Sequence, residues 1–318
     1  MLTDQSELLE GLDDQTALRV RSVLSEVSTH KKALTSFAHQ GIRAANHTKY
    51  YELVYSTRYA AKSMNERKFV NFGPGTFKHK YWTNADKLLD GKTWSESRGK
   101  GVTDRIDVAW DMYAREPVTL ADGEYEAAYC SHVIEHAWDE DVAFFLRDVW
   151  RILKPGGVLR LTAPNIDLGL RAARDKDFSY YAYPQFLRGD VAASRVFGSE
   201  SERYPIEYFV LDQCSLIVNE RNSTCLTVAE CPAWLWQAED VYATLDLASR
   251  LSDRELNHEL ARHVNWFTPA KAARMLADAG FGRVEISSYA QSICPVMRDV
   301  RYFDNTQPAW SFYIDAVK

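Results

Sequence analysis

The 318-residue chain has no long apolar run; the longest, Val142 to Leu146, is five residues. A membrane-spanning helix needs about twenty, so no membrane partner is expected. Met1 to Asp4 lack a basic stretch followed by an apolar one, so no secretory signal is expected either. Cysteine is scarce: Cys130, Cys214, Cys225, Cys231 and Cys294 form no CxxC pair, and an odd, scattered set is not a disulfide framework. Scattered reduced thiols fit a cytoplasmic protein. Cys214, Cys225 and Cys231 lie close together in the chain, which leaves a zinc site there as a secondary reading. Positive charge is not in excess, with 38 Lys and Arg against 44 Asp and Glu, a net charge of -6. Between Asn165 and Arg262 there are ten basic and sixteen acidic residues, so the whole imbalance sits in that stretch. Without a basic stripe, nucleic acid is not an expected partner. Repeats and low-complexity segments are also lacking, and a 46% hydrophobic, 26% charged composition excludes disorder on compositional grounds.

What is present changes in texture along the chain. Residues 1–66 contain no proline and read as a helical region, with Val20, Val23, Leu24 and Val27 on one stripe and Asp4 with Glu7 as a capping box. Tyr50, Tyr51, Tyr55 and Tyr59 also recur at helical spacing, as a packing face or as a lid over a ligand. From Lys68, short apolar runs alternate with turns and a helix. Strands are predicted at 69–72, 82–86, 106–111, 125–130 and 158–162. Asp139 to Lys154 reads as an amphipathic helix whose apolar face holds Val142, Phe145, Leu146, Val149, Ile152 and Leu153. Thr268-Pro269 caps another helix that stops at Gly280, and two late strands follow at 284–286 and 310–314. Such alternation predicts parallel βαβ units with helices on both faces. Residues 166–262 interrupt it and read as a large insertion after the fifth strand.

Three groups of residues carry chemistry. Asn71-Phe72-Gly73-Pro74-Gly75 is a strand running into a Gly-x-Gly turn, where a ligand can approach the backbone closely. No third glycine follows at the dinucleotide spacing, which disfavours a nicotinamide cofactor. Asp86 and Asp111 end the next two predicted strands, where a carboxylate can accept from ribose hydroxyls or an adenine amino group. Ser131-His132-Val133-Ile134-Glu135-His136 lies at the rim after the fourth strand. His132, Glu135 and His136 also spell the HxxEH pattern of some zinc peptidases. That pattern needs a helix, and here it directly follows a strand, so no metal site is expected from it.

In this order, Phe69 to Gly75, Asp86, Asp111, Tyr125 to His136, Leu153-Lys154-Pro155-Gly156-Gly157 and Ala279-Gly280-Phe281 resemble the class I S-adenosylmethionine-dependent methyltransferases, in their small-molecule, type 11-like branch. The resemblance covers residues 67–165 well and 263–318 moderately. It implies an α/β fold: a doubly wound, mostly parallel, seven-stranded Rossmann-like sheet. The chain then divides into an N-terminal helical region (1–66), a cofactor-binding core (67–165 and 263–318) and the insertion (166–262), expected as a substrate lid. It implies S-adenosyl-L-methionine as cofactor and S-adenosyl-L-homocysteine as product. Phe72, Gly73, Gly75, Asp86, Asp111, Met112 and Ser131 would bind the cofactor, His132 would be the candidate general base, and His263 a secondary one. An acid usually stands where this chain has Asn71, and a third glycine often stands near Phe77. The expected acceptor is the oxygen or nitrogen of a small molecule or glycan unit, and a homo-oligomer is compatible with the composition. The competing readings are a non-catalytic scaffold of the same fold and a zinc hydrolase built on HxxEH.

Overall fold

A computed structural model describes residues 25, 43–89, 92–93, 106–182, 195–199 and 201–318. The stripe Val20, Val23, Leu24 and Val27, the Asp4–Glu7 cap, and the insertion aromatics Tyr183 and Phe186 lie outside the described residues. The chain forms two compact units, Met1–Arg58 and Tyr59–Lys318. In the first, residues 43–58 are helical. There Tyr51 and Tyr55 are buried and Tyr50 is exposed, so the tyrosine stripe has one inward edge.

Among the described residues, the second unit holds nine strands: β1 (Phe69–Phe72), β2 (Trp82–Asp86), β3 (Leu88–Leu89), β4 (Lys92–Thr93), β5 (Val108–Ala109), β6 (Tyr125–Ser131), β7 (Leu153–Pro164), β8 (Arg283–Ser287) and β9 (Ser311–Val317). Seven make one sheet in the order β5-β2-β1-β6-β7-β9-β8, while β3 and β4 form a separate hairpin. The five strands from β5 to β7 run parallel, and β9 runs antiparallel to both β7 and β8. This is the mostly parallel seven-stranded Rossmann-like sheet expected from the sequence. The order reverses between β1 and β6, so a crevice opens at the carboxyl ends of these strands.

Strand alternation explains the two faces. Val70 and Phe72 of β1 join Ala128 and Cys130 of β6 in a core that also takes Val142, Phe145, Leu146, Val149 and Ile152 from helix α1 (Asp139–Ile152) and Ala272 and Leu276 from helix α2 (Pro269–Asp278). The alternate residues Phe69, Trp82 and Tyr129 face the other way. There Trp82 and Tyr129 meet Phe303 at ring-centroid distances of 4.9 and 5.0 Å. Local signals set several ends. The Thr268 side chain accepts from the Lys271 N–H, and Pro269 starts α2. The Trp138 N–H donates to the Asp141 side chain at the start of α1.

The helix at Asp139 ends at Ile152, two residues before the predicted end, and β7 begins at Leu153 rather than Val158. Pro155 pushes Lys154 out of the helical region, and Leu153 is already paired with Tyr125, with a register shift before Ala127. The predicted third strand at 106–111 shrinks to Val108–Ala109, the sheet edge. Asp111 instead caps a 3-10 turn, Met112–Ala114.

The insertion builds its own core. Tyr181, Phe209, Leu211, Cys214, Cys231 and Leu245 are buried in it, with Tyr180, Tyr204, Tyr208, Trp234 and Trp236 packed around them. These aromatics therefore serve the folding of the insertion. Cys214 and Cys231 are buried and Cys225 is exposed, all as free thiols. They do not appear in a metal-ligating group among the described residues. No helix of the described residues is long and apolar enough to cross a membrane.

Candidate active site

At the crevice lies a cavity of about 610 Å³. Gly73, Gly75, Asp86, Asp111, Met112, Ser131 and His132 all line it, although they come from four separate stretches of chain. Phe72 does not. Its ring is fully buried on the opposite face, against Trp110 at 4.9 Å and Phe145 at 5.0 Å. Period-2 alternation explains this: Asn71 points to the cavity, so Phe72 points to the core.

Gly73 has φ +64° and Gly75 +55°, the left-handed region that favours glycine. A Cβ on Gly73 would meet Val133 Cγ2 at 2.4 Å. Gly73→Ala is therefore expected to lose about 1–3 kcal/mol of stability through backbone strain and overlap, read as a fall in the chemical-denaturation midpoint. A Gly157→Ala control is unsuitable, because its Cβ would meet the Lys154 carbonyl at 2.9 Å. Gly282→Ala, with open space around its Cβ, is the neutral comparison.

Asp86 ends β2 with its carboxylate in the cavity. Burial pushes its pKa up to about 6, and the Lys87 N–H, donating at 2.8 Å, opposes that only in part. A carboxylate so placed lacks solvent and gains from hydroxyl donors. Asp111 is more occupied: Oδ1 accepts from the Tyr113 N–H at 3.0 Å, and Oδ2 pairs with Lys87 Nζ at 2.8 Å. Met112, 7% exposed, supplies an apolar wall. The Ser131 hydroxyl lines the cavity with its Oγ buried, and the Tyr129 hydroxyl is its polar neighbour. A glycine turn, a buried carboxylate, an apolar wall and a buried hydroxyl together have the chemistry to fit a nucleoside-bearing cofactor.

His132 sits at φ +54°, uncommon for a residue with a Cβ. Its backbone N–H still reaches the Thr162 carbonyl at 2.9 Å, so the parallel pairing of β6 with β7 continues one residue past Ser131. The turned backbone brings Nδ1 to 3.2 Å from Glu135 Oε1 and Nε2 to 2.7 Å from Ser311 Oγ. Glu135 is 1% exposed. Burial pushes its carboxyl up, but the surrounding histidines, His132 foremost, outweigh this and hold it below the usual carboxylate range.

His263 does not line the cavity. It stands behind His136, ring centroids 4.7 Å apart, and burial pushes it down to about 3. A base must reach the acceptor, so this placement does not serve a second general base. Burial also lowers His136. The HxxEH segment is a 3-10 turn, Ile134–His136, following the strand. It therefore lacks the helix that would place its two histidines on one zinc, as a peptidase of that pattern requires. Among the described residues, one group has metal-ligating geometry: Glu135, His136 and His263.

The cavity also uses residues that sequence reading missed. Arg301, Tyr302, Asn305 and Thr306 come from the stretch before β9, and His258 and Ala261 from the end of the insertion. None sits in a motif. Asn71, marked in the sequence as the position where the family usually has an acid, lines the cavity, and Trp110 does so beside the end of the predicted third strand.

Residues 96–161 match the family model described as a methyltransferase domain. No curated protein matches the chain. Among solved structures, it is similar to a S-adenosylmethionine-dependent methyltransferase from Methanosarcina mazei (11% identity, 79% of this chain and 91% of that one, TM-score 0.37). It is also similar to one from Thermotoga maritima described as a possible histamine N-methyltransferase (12%, 87% and 97%, 0.35). A third is an O-methyltransferase assignment from Nostoc punctiforme PCC 73102 (12%, 80% and 56%, 0.33). The chain thus spans about half the length of the Nostoc protein, and 50% of the methyltransferase SibL.

Proposed function

We propose that this chain, which carries a class I S-adenosylmethionine-dependent methyltransferase domain, methylates an oxygen or nitrogen of a small molecule or glycan unit, with His132 as the base. The observation that carries the reading is that His132 lines the cavity beside Gly73, Asp86, Asp111 and Ser131, with Nδ1 3.2 Å from Glu135 Oε1. Its Nε2 meets Ser311 Oγ at 2.7 Å, a hydroxyl that also donates to the Gln307 carbonyl at 2.9 Å, so an acceptor takes the place of Ser311 when that nitrogen removes its proton. A cavity of about 610 Å³ is in the range of small-molecule sites.

Bound S-adenosylmethionine supplies a methyl group on a sulfonium, an already activated electrophile. What the chain adds is placement. Gly73 and Gly75 let the ligand approach the backbone, Asp86 accepts from the ribose hydroxyls, Met112 walls the adenine, and the Ser131 hydroxyl, beside Tyr129, meets the polar end. Holding reactants within about 3–3.5 Å is a large share of such catalysis. Glu135 orients His132 from behind, as a carboxylate orients an imidazole base.

The test is methyl transfer to a panel of small hydroxyl and amine acceptors, alongside His132→Gln. His132→Gln is expected to lower turnover about 100-fold and leave S-adenosylhomocysteine affinity unchanged by calorimetry. Unchanged turnover in that variant would remove His132 from the chemistry, and turnover only on nucleic acid or protein would remove the small-acceptor reading.

A further inference from the structure

We propose that Glu135, His136 and His263 bind one divalent first-row transition-metal ion beside the cavity. Ligand atoms of the three lie within 4.8 Å of one another. Glu135 is 1% exposed, and the groups that meet its carboxylate are histidine nitrogens, His132 Nδ1 at 3.2 Å and His263 Nε2 at 3.8 Å from Oε1. A buried carboxylate is costly unless a cation or donor meets it. A metal ion among these ligands would meet it directly.

The histidines are oriented as ligands. Nδ1 of His136 faces the Arg262 carbonyl at 3.1 Å, and Nδ1 of His263 faces the Gln213 carbonyl at 3.0 Å. A carbonyl only accepts, so Nδ1 of His263 carries the hydrogen and its Nε2 the lone pair, while His136 bonds the Ala261 backbone as well as Arg262. This is the outer-shell arrangement that fixes the tautomer of ligating histidines. His263 Nε2 already stands 3.8 Å from Glu135 Oε1. The backbone supports the approach, because the Glu135 carbonyl accepts from the Val264 and Asn265 N–H groups at 2.9 and 3.1 Å. The residues next to His263 are thereby tied to the 3-10 turn that carries Glu135 and His136.

Bonds of about 2.0–2.2 Å would bring the ligand atoms to about 3–3.5 Å from one another, so small side-chain rotations complete the site. Two imidazoles and a carboxylate suit Zn²⁺, Fe²⁺, Co²⁺ or Mn²⁺ and not an all-oxygen cation such as Ca²⁺. Three protein ligands leave coordination positions open, and of the three His136 lines the cavity. Resting on the methyl-transfer reading, this narrows the acceptor to a molecule that offers an oxygen ligand, with a hydroxyl held on the metal beside His132.

Metal-stripped protein is titrated with Co²⁺, followed by visible absorption, and separately with S-adenosylhomocysteine by calorimetry. One Co²⁺ per chain, displaced by Zn²⁺, is expected. His263→Gln and Glu135→Gln are each expected to weaken Co²⁺ binding by at least about 100-fold with S-adenosylhomocysteine affinity unchanged, which also shows that the variants are folded. Absence of saturable Co²⁺ binding by wild type, or wild-type affinity in both variants, overturns the metal site and leaves the methyl-transfer reading standing. Saturable Co²⁺ binding without any S-adenosylhomocysteine binding supports the metal site and overturns the role assigned to it in methyl transfer. If one variant melts at the assay temperature, the other decides.

Discussion

Replacing Asp86 by asparagine is expected to weaken S-adenosylhomocysteine binding by at least about 100-fold, because two hydrogen bonds to an ionised carboxylate are each worth about 1.5–3 kcal/mol. The same substitution is expected to make the ligand-free protein more stable. Burial raises the Asp86 pKa from 3.8 to about 6. A raised carboxyl binds its proton more tightly in the folded state, so its contribution to stability falls as pH rises through that window. Above pH 6 the folded protein carries the full cost of a charge held without enough solvent, about 2–3 kcal/mol. Asparagine keeps an oxygen for the Lys87 N–H and removes the charge. The denaturation midpoint at pH 8 should therefore rise while calorimetry shows no binding; a variant that binds normally would exclude Asp86 from the ribose site. In wild type, affinity should fall about tenfold from pH 7.5 to pH 5, as the carboxylate takes up its proton. A flat pH profile would contradict that assignment.

The largest loss of stability is expected from Arg160→Ala. Arg160 lies mid-strand in β7 and is fully buried, yet every guanidinium donor has a partner. Nε and Nη2 grip the two oxygens of Asp304 at 3.1 and 2.6 Å, Nη1 reaches Asp315 at 2.9 Å and the Ser287 hydroxyl, and Nη2 also reaches the Ser288 carbonyl at 2.9 Å. Asp304 and Asp315 are themselves fully buried, and Asp304 further accepts from the Ala290 N–H at 3.0 Å. Removing the cation leaves two carboxylates without it, a loss of about 3–5 kcal/mol or more. For a domain this size that lowers Tm by about 10 °C. The Tyr129 hydroxyl accepts from the Asp304 N–H at 2.6 Å, which ties this cluster to a residue of the cavity wall. Cofactor affinity should fall along with Tm. Arg160→Met combined with Asp304→Asn and Asp315→Asn should recover much of the loss, since an uncharged cluster has no unpaired ion. Equal instability of the single and triple variants would show that the ion pairs are not the reason.

Much of the frame was legible in one dimension. The strands at Phe69–Phe72, Trp82–Asp86 and Tyr125–Ser131 and the helices at Asp139 and Pro269 follow from period-2 and period-3.6 patterns, a Thr cap and Pro-Gly stops. These are interactions within a few residues, so the local sequence decides them. So do the left-handed turn at Gly73 and the carboxylate at the end of β2. Alternation assigns adjacent residues to opposite faces, which puts Asn71 at the cavity and the Phe72 ring in the core.

Other features depend on which distant segments meet, and local patterns do not encode that. A lone arginine in an apolar strand says nothing of Asp304 and Asp315, which reach it only when β9 pairs antiparallel with β7. Arg301, Tyr302, Asn305 and Thr306 come to the cavity through the chain leading into that strand. His263 reaches Glu135 and His136 because the insertion folds on its own core and returns the chain to the 3-10 turn through the Glu135 carbonyl. Periodicity and caps determined the elements and the Gly73–Gly75 turn at the cavity. Long-range packing and buried polar pairing decided which side chains share the site, because their free energy exists only once the separate elements are in contact.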